Sequence, residues 1–375
     1  MTPHALAAPR FGGYQDLLWT AVTGRDEHAA AEVAFSALDD GIDAESVLLD
    51  VIAPVQARVG TEWAANRLSV AQEHAASAIA ERVIAALAHH PSLRIAPHLG
   101  RVTVACVDQE WHVLPARLLA EVLTLRGWQV DFLGAQVPTP HLIGHLHSHG
   151  ADVVALSSSI PTRLPSAHAA ITACQAVGVP VLVGGAAFGP DGRYARLLGA
   201  DAWEPDARGA ARRIADGFPV PYLAGARQQI DDLPHLGDQE YTLVARSRPQ
   251  LVRAVLAQLE SRFPAAAHYT DQQREHTAQD IAHIVDYLGV ALYVDDDDLF
   301  TGFLAWTAGI LDARGVPAGS LRPVLDVLGA ELKDFPRSIR LLDQARTVLD
   351  VRTAAGHNPG ASDDRPALSA LHPDH

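Results

Sequence analysis

One short segment, Glu110-Trp111-His112, carries residue types that can bind a metal, and it follows an apolar run directly. A neutral imidazole nitrogen is a common metal ligand, and a nearby carboxylate can hold the other ring N–H and fix the tautomer. Glu110 stands two residues before His112, within reach for that role. Val113 and Leu114 lead from this segment into a helical pattern. The segment therefore predicts a metal-binding histidine in a loop between a strand and a helix.

Two later segments carry residues that suit other parts of a large, flat ligand. Ser157, Ser158 and Ser159 follow one buried apolar run, and Gly184 and Gly185 follow another. Hydroxyl groups can hydrogen-bond a buried nitrogen base, and glycines let the backbone approach a ring closely. These segments are predicted to bind the same ligand as the histidine loop.

A parallel sheet would bring all three segments to one edge. From about Arg101 to Phe218, short apolar runs alternate with helical patterns, which is the order of a parallel sheet covered by helices. Ligands of such sheets bind at the carboxyl ends of the strands, where each segment lies. We therefore expect residues 100–218 to form a Rossmann-like domain.

These segments resemble the signature of the cobalamin-binding domains found in methionine synthase, the corrinoid mutases and the cobalamin photoreceptors: Asp/Glu-x-His-x-x-Gly, then Ser-x-Leu, then Gly-Gly. The resemblance implies that His112 is the lower axial ligand of cobalt and that Glu110 holds it. It also implies a tunnel for the displaced nucleotide base, lined by Ser157, Gly184 and Gly185. The other candidate cofactor-binding residues of these segments are Val113, Leu114, Ser158 and Ser159. Pro115 replaces the family's glycine and Ser159 its leucine, so the histidine loop is expected to be stiffer than usual.

A helical segment precedes this domain, and residues 14–92 are expected to form a four-helix cap. Nine residues separate Trp63 from Glu73-His74. Alone, this pattern fits a core tryptophan beside an exposed helical face. Next to the predicted cobalamin domain it resembles the Trp-x9-Glu-His signature of the light-responsive adenosylcobalamin repressors, which implies that Trp63, Glu73 and His74 border the adenosyl group. Ala64 replaces the histidine that those repressors use as an upper cobalt ligand. We therefore expect the light-exposed form either to hold water on the upper face or to recruit another histidine, with His74 the nearest candidate.

Residues 219–239 have the Pro, Gly and Asp content of a linker, and residues 240–351 are again helical. The stretch from His276 to Leu299 resembles the chromophore helix of the phycobiliproteins, which have a globin-like fold. The resemblance places Thr277 at the attachment cysteine and Asp280 at the aspartate that binds pyrrole N–H groups. It implies a bilin such as biliverdin, held noncovalently because threonine forms no thioether. The candidate binding residues are His276, Thr277, Asp280, His283, Tyr287, Tyr293 and Trp306.

Two alternatives for this helical domain remain open. His276, Asp280, His283 and Tyr287 recur at three- and four-residue spacing, which also fits a solvated helix face. His276 or His283 could instead be the proximal ligand of a haem. Asp280 and the acidic turn after the helix favour the bilin over the haem.

Composition limits the partners and the compartment. The formal net charge is −15 and no basic cluster is present, which argues against nucleic acid. No apolar run has the roughly 18 residues of a membrane span. Cys106 and Cys174 lie in apolar or helical settings, as expected of reduced, buried thiols. We expect a soluble cytoplasmic protein with a disordered tail at residues 352–375.

The order of helical cap, cobalamin domain and phycobilin-like domain resembles the photocobilins, bacterial receptors with two chromophores. The resemblance implies a light sensor rather than an enzyme, which signals to a separate, unidentified protein or through a homo-oligomer such as a dimer. Two other functions remain open: a corrinoid methyl carrier of a methyltransferase system and a haem-linked sensor.

Overall fold

A computed structural model describes residues 8–218, 233–262 and 270–354 of the chain. The described residues fall into two compact units, with residues 8–218 in the first and residues 233–354 in the second. Each unit contains its own set of buried apolar side chains. The first unit combines a helical bundle with a parallel sheet, and the second is helical throughout.

The first unit begins with a helical bundle. Its helices are α1 (Ala8–Thr23), α2 (Glu27–Asp39), α3 (Ala44–Ser46), α4 (Ala53–Ala64) and α5 (Val70–Ala88). A π-helical turn, Val47–Ile52, joins α3 to α4 without a break, so the bundle has four helical rods. Residues 14–92 were expected to contain such a bundle, and α1 begins six residues before that range.

Local sequence explains where these rods begin. The side chains of Asp26, Asp43 and Ser69 each accept a hydrogen bond from a backbone N–H in the first turn of the following helix. Such caps satisfy N–H groups that have no partner within the helix. Gln72 completes a capping box with Ser69, and this box fixes the start of α5.

Residues 101–216 form an α/β domain in which strands and helices alternate. The strands are β1 (Arg101–Cys106), β2 (Gln129–Gly134), β3 (Val153–Ser157), β4 (Val181–Gly184) and β5 (Ala202–Trp203). The helices are α6 (Leu114–Leu125), α7 (Thr139–His149), α8 (Leu164–Ala176), α9 (Arg193–Leu197) and α10 (Ala207–Asp216). This alternation is the expected Rossmann-like arrangement.

The five strands form one parallel sheet in the order β2-β1-β3-β4-β5. Strands β1 and β3 are buried almost throughout, because helices cover both faces of the sheet, and this explains their continuous apolar sequences. After β1 the chain forms β2 on one side of β1, and it then crosses over to form β3 on the other side. The gap between β1 and β3 is thus the point where strand order reverses, and ligands of open α/β sheets bind at such a point.

The second unit contains five helices among its described residues: α11 (Glu240–Arg262), α12 (Asp271–Val294), α13 (Asp297–Ala313), α14 (Leu321–Glu331) and α15 (Pro336–Ala354). Phe300, Leu304 and Leu328 lie in its buried core. Helix α12 packs against α11 and α13, and α15 packs against α13 and α14. The expected helical domain is therefore present, whereas nothing in this arrangement identifies it as globin-like.

The linker and the tail expected from the sequence lie only partly within the described residues. A short 3-10 helix, Pro234–Asp238, occupies part of the expected linker at 219–239, and residues 219–232 lie outside the described residues. Helix α15 continues through Ala354, so the first three residues of the expected tail are helical. Residues 355–375 lie outside the described residues. Within the described chain, no helix combines the length and apolar character that a membrane span requires.

Candidate functional site

The residues singled out in the α/β domain lie at the carboxyl edge of the sheet, on both sides of the gap between β1 and β3. Glu110 and His112 belong to the loop between β1 and α6. Ser157 ends β3, and Ser158 and Ser159 follow it. The register pairs Cys106 with Ser157, so the two segments start side by side.

His112 is fixed by two hydrogen bonds to one carboxylate oxygen. Glu110 Oε1 lies 2.6 Å from His112 Nδ1 and accepts the backbone N–H of His112 at 2.9 Å. The Cys106 thiol also approaches the carbonyl oxygen of His112, at 3.8 Å. Because Nδ1 is taken up by Glu110, Nε2 is the ring nitrogen available to a metal, and the His112 side chain is 21% exposed.

The second oxygen of Glu110 binds the segment after β3. Glu110 Oε2 accepts hydrogen bonds from Ser158 Oγ at 3.1 Å, Ser159 N at 2.7 Å and Ile160 N at 3.1 Å. Burial alone would raise the pKa of Glu110, but the hydrogen bonds and charge of His112 and the Ser159 N–H outweigh burial and lower it. One buried carboxylate thus joins both sides of the β1/β3 gap.

Gly184 and Gly185 bring backbone close to the same serine segment. Gly184 pairs with Ser157 in the sheet. Gly185 has φ +99, and a Cβ there would lie 2.3 Å from the carbonyl oxygen of Ser158. Only glycine fits this close approach without a shift of the backbone. The structure therefore gathers the histidine, the serines and the glycines at one edge of the sheet.

The sequence did not single out two glutamines at this edge. Gln109 and Gln136 have φ of 64° and 50°, which few residues other than glycine adopt. The Gln136 N–H donates to the carbonyl oxygen of Glu110 at 3.0 Å and ties the loop after β2 to the histidine loop. No sequence signal marks these residues, because glutamine has no preference for this conformation. Trp111, beside them, is 52% exposed.

The single imidazole of His112 fits a metal whose other ligands come from a cofactor rather than from the protein. Among the described residues, no group of three or more His, Cys, Asp or Glu side chains could hold a metal ion. A bare zinc or copper ion needs such a group. A single oriented imidazole next to a glycine cradle instead fits a macrocycle-bound metal, whose ring supplies the remaining nitrogen ligands.

Trp63 and the Glu73-His74 pair lie on successive helices of the bundle. Trp63 is buried near the end of α4, and Glu73 and His74 lie in the first turn of α5. Glu73 accepts a hydrogen bond from Ser77 Oγ at 2.9 Å and lies 3.3 Å from His74 Nδ1. Gln56 of α4 donates to the Ser77 hydroxyl. A polar chain thus connects the Glu73 carboxylate to α4, while more than half of the His74 side chain is exposed.

A cluster of four charged residues, here called the bundle clamp, joins the helical bundle to the α/β domain. Arg126 donates to both oxygens of Glu45, at 3.0 and 2.9 Å. Arg208 of α10 donates to Glu45 at 3.2 Å and to both oxygens of Asp50, at 2.9 and 2.6 Å. Such paired geometries are the stronger form of an ion pair. No sequence pattern indicated this cluster, since its members are far apart in the chain.

In the second unit, Asp280 and His276 are exposed on α12. Burial by surrounding protein nevertheless raises the pKa of Asp280 to about 6, against the lowering effect of the charges of His276 and Arg314. No sequence pattern marked Arg314 as a candidate site residue. The Thr277 hydroxyl donates to the carbonyl oxygen of Gln273 at 2.7 Å.

The aromatic candidates contact side chains of their own unit. The buried Tyr287 ring stacks on Phe303, with centroids 3.6 Å apart and planes 5° apart. Tyr293 is buried, and its ring meets Tyr241 edge to face. These two tyrosines lie in the core of the second unit, and their stacking on a bound ring stays a prediction. His283 and Trp306 are half-buried, and Trp306 lies beside Phe303.

Fold and site together define the first unit as a helical bundle followed by a Rossmann-like domain with an oriented histidine at its ligand edge. Comparison with protein families agrees with this class. Two models, each described as a B12 binding domain, match residues 14–88 and residues 100–215. Two consecutive segments of the chain are therefore similar to B12 binding domains.

Two transcriptional repressors of Myxococcus xanthus are similar to this part of the chain. The HTH-type transcriptional repressor CarH is 32% identical over 193 residues, which is 47% of this chain and 62% of that repressor. The HTH-type transcriptional repressor CarA is 33% identical over 156 residues, 40% of this chain and 51% of that repressor. The chain thus spans less than two thirds of the length of either relative.

Matches among solved structures include a corrinoid protein and a cobalamin-binding protein. The monomethylamine corrinoid protein of Methanosarcina barkeri is 20% identical, with a TM-score of 0.47, and the match covers 54% of this chain and 97% of that one. A cobalamin-binding protein from Desulfitobacterium hafniense is also 20% identical, with a TM-score of 0.31, and the match covers 53% of this chain and 95% of that one.

Proposed function

We propose that this chain is a light sensor that binds adenosylcobalamin through His112 and a bilin, such as biliverdin, noncovalently in its second unit. The observation that carries the first part is the Glu110-held imidazole of His112 in a domain that matches a B12-binding family. Similarity to two transcriptional repressors supports a signalling role.

In this proposal, the residues at the sheet edge bind and orient the cofactor. His112 offers Nε2 to cobalt, and Glu110 keeps the proton on Nδ1, so that the ring presents the correct tautomer. Buried Ser157 and the cradle at Gly185 would receive the displaced nucleotide base. When bound, adenosylcobalamin supplies a cobalt–carbon bond that visible light breaks.

The helical bundle would cover the opposite face of the cofactor. Trp63 excludes water there, and the polar chain from Glu73 through Ser77 to Gln56 offers hydrogen bonds to the adenosyl group. Loss of that group removes contacts that only the bundle makes. The bundle clamp connects any resulting shift of the bundle to α6 and α10. The signal then passes to a separate protein or to a change in a homo-oligomer such as a dimer.

The bilin part of the proposal rests on Asp280. A carboxylate can accept hydrogen bonds from two pyrrole N–H groups, and Asp280 presents its carboxyl on the exposed side of α12. His276, also on α12, would lie beside the same ligand. Because Thr277 has no thiol and Cys106 and Cys174 are buried in the first unit, the bilin would be noncovalent.

The cobalamin part is tested by loading the dark protein with adenosylcobalamin and measuring its absorption and sedimentation before and after illumination. In the dark, we expect the absorption spectrum of cobalamin whose cobalt is bound by histidine. Illumination should change the sedimentation of the protein. His112→Ala should lose both, and exposed His147→Ala serves as the matched control. Unchanged loading of His112→Ala would refute the proposal. Loading without any light-dependent change in the protein would instead favour a corrinoid carrier.

The bilin part is tested separately by adding biliverdin or haem to the purified protein. We expect biliverdin to develop a red-shifted band that is lost in Asp280→Asn and kept in Asp271→Asn, a carboxyl at the start of the same helix. A haem band without a biliverdin band would overturn this part and favour a haem-linked sensor.

A further inference from the structure

Arg163 makes a second connection across the gap between β1 and β3. It ends the 3-10 turn Pro161–Arg163, which follows the serine segment and precedes α8. Its Nη1 donates to Gln109 Oε1 at 2.9 Å. Gln109 lies one residue before Glu110, on the opposite side of the gap. The Arg163 side chain therefore spans the same gap that the Glu110 carboxylate spans, and it brings a positive charge to it.

No carboxylate among the described residues forms an ion pair with Arg163, whose hydrogen bond goes to a neutral amide. Its Nε is buried and has no hydrogen-bond partner within the described chain. Arg117 and Arg337 also have an unbonded Nε, but they pair with carboxylates through other nitrogens. Arg163 thus carries a charge that no carboxylate of the described residues compensates, and this charge favours binding of an anion.

We propose, on the basis of the proposed function, that Arg163 binds the phosphodiester in the nucleotide tail of cobalamin. The tail carries the anionic phosphate between the corrin ring and the nucleotide base. If His112 replaces that base at cobalt, the tail must enter the sheet edge beside Ser157 and Gly184, and Arg163 stands at this edge. Guanidinium groups donate N–H hydrogen bonds to phosphate oxygens, and the bond to Gln109 uses only Nη1 of Arg163.

A competing structural role makes a different prediction. Arg163 holds the amide of Gln109, whose left-handed backbone precedes Glu110 and His112. If Arg163 only braces this loop, its loss would disturb His112 and weaken every corrinoid alike. If Arg163 binds phosphate, its loss would weaken only corrinoids that carry the nucleotide tail.

The test compares two ligands with wild type and Arg163→Gln. Adenosylcobinamide lacks the nucleotide tail and its phosphate, whereas adenosylcobalamin has both. We expect Arg163→Gln to weaken adenosylcobalamin about tenfold, as for the loss of one hydrogen bond to a charged group, and to leave adenosylcobinamide unchanged. Arg196→Gln, which removes an exposed arginine paired with Asp191 in the same domain, should change neither affinity.

Gln109→Ala completes the design. It removes the partner of Arg163 but keeps the charge, so its effect on adenosylcobalamin should be smaller than that of Arg163→Gln. Equal weakening of both ligands by both variants would show a bracing role and overturn the phosphate assignment.

A second measurement covers the case in which adenosylcobinamide binds too weakly to compare. Raised salt should weaken adenosylcobalamin binding by the wild type, because salt screens a charge–phosphate contact, and should affect Arg163→Gln less. Identical salt dependence would overturn the assignment. Failure of the proposed function has a different signature, since the wild type itself would then not bind adenosylcobalamin through His112.

Discussion

At the scale of single residues, the candidate site depends on how Glu110 distributes its hydrogen bonds. One carboxylate oxygen binds His112, and the other binds the segment from Ser158 to Ile160. The side chain is completely buried, so each unsatisfied donor left by its removal has no water to replace it. The orientation of His112 and the spacing of the two loops therefore depend on the same group.

Replacement of Glu110 should reduce both stability and ligand affinity. Glu110→Ala should lower the free energy of unfolding by about 3 kcal/mol, because it leaves buried donors unpaired. Glu110→Gln keeps the shape of the side chain but removes its charge, and it should lower the free energy of unfolding by about half as much as Glu110→Ala. Both should weaken cobalamin by about tenfold or more, as typical for the partner of a metal-ligating histidine. Urea denaturation and absorption titration measure these effects. A wild-type affinity in Glu110→Ala would contradict the role of this residue.

Cys106 and Cys174 should be unreactive in the folded protein. Burial raises the pKa of each thiol to about 12, and the nearby Glu110 charge adds to this for Cys106. Since the thiolate is the reactive form, iodoacetamide should label neither residue at neutral pH until the protein unfolds. Mass spectrometry of native and urea-treated samples tests this expectation. Rapid labelling of the native protein would show that the sheet edge opens around Cys106.

Asp280 should make the stability of the second unit depend on pH. Its pKa is raised from 3.8 to about 6, so the folded state holds the proton more tightly than the unfolded chain does. The stabilising contribution is complete below about pH 4 and decreases as the pH rises to about 6. Asp280→Asn should abolish this decrease, and denaturation at several pH values tests it. A variant with the same pH profile as the wild type would exclude Asp280 as its cause.

Much of the residue chemistry could be predicted from the sequence where the partners are neighbours in the chain. The spacing of Glu110 and His112 suggested their hydrogen bond, because two residues of a loop separate them by little. The bonds from Ser159 and Ile160 to Glu110 could not be predicted, since they depend on β3 lying next to β1. Arg163 and Gln109 gave no signal for the same reason.

At the scale of helices and strands, the apolar runs before Glu110, Ser157 and Gly184 predicted β1, β3 and β4, because these strands are largely buried. Strand β2 is a partly exposed edge and β5 has only two residues, so neither produces such a run. The helical bundle followed from residue spacing, but its attachment through the bundle clamp did not. The bundle clamp links two acidic residues of the bundle to two arginines of the α/β domain.

The bundle clamp should make the attachment of the bundle sensitive to charge. Glu45→Gln removes the carboxylate that Arg126 and Arg208 share, and should destabilise the first unit by about 1 kcal/mol, less in high salt. The control is Asp16→Asn, whose pair with Arg58 is 3.5 Å long and largely exposed, and which should have no measurable effect. Urea denaturation in low and high salt measures both. Equal effects of the two variants would show that the clamp behaves as an ordinary surface pair.

At the scale of the whole molecule, the described chain consists of two compact units with separate cores. We expect calorimetry to show two unfolding transitions. Saturating cobalamin should raise the midpoint of one transition only, because a ligand stabilises the unit that binds it. At a free ligand concentration of about one hundred times the dissociation constant, the free energy of unfolding of that unit should rise by about 2.7 kcal/mol. Biliverdin should raise the other. A single transition that shifts with either ligand would mean that the two units unfold together.

The π-helical turn at Val47–Ile52 has a consequence for protein engineering. It lies between Glu45 and Trp63, so the length of this one rod determines the relative direction of those two side chains. Each residue of a helix advances its direction by about 100°. Deleting one residue of the turn would therefore change the direction of the Trp63 side chain relative to that of Glu45. Chimeras and loop-length libraries should leave this rod intact, and point substitutions along it are the safer way to retune the protein.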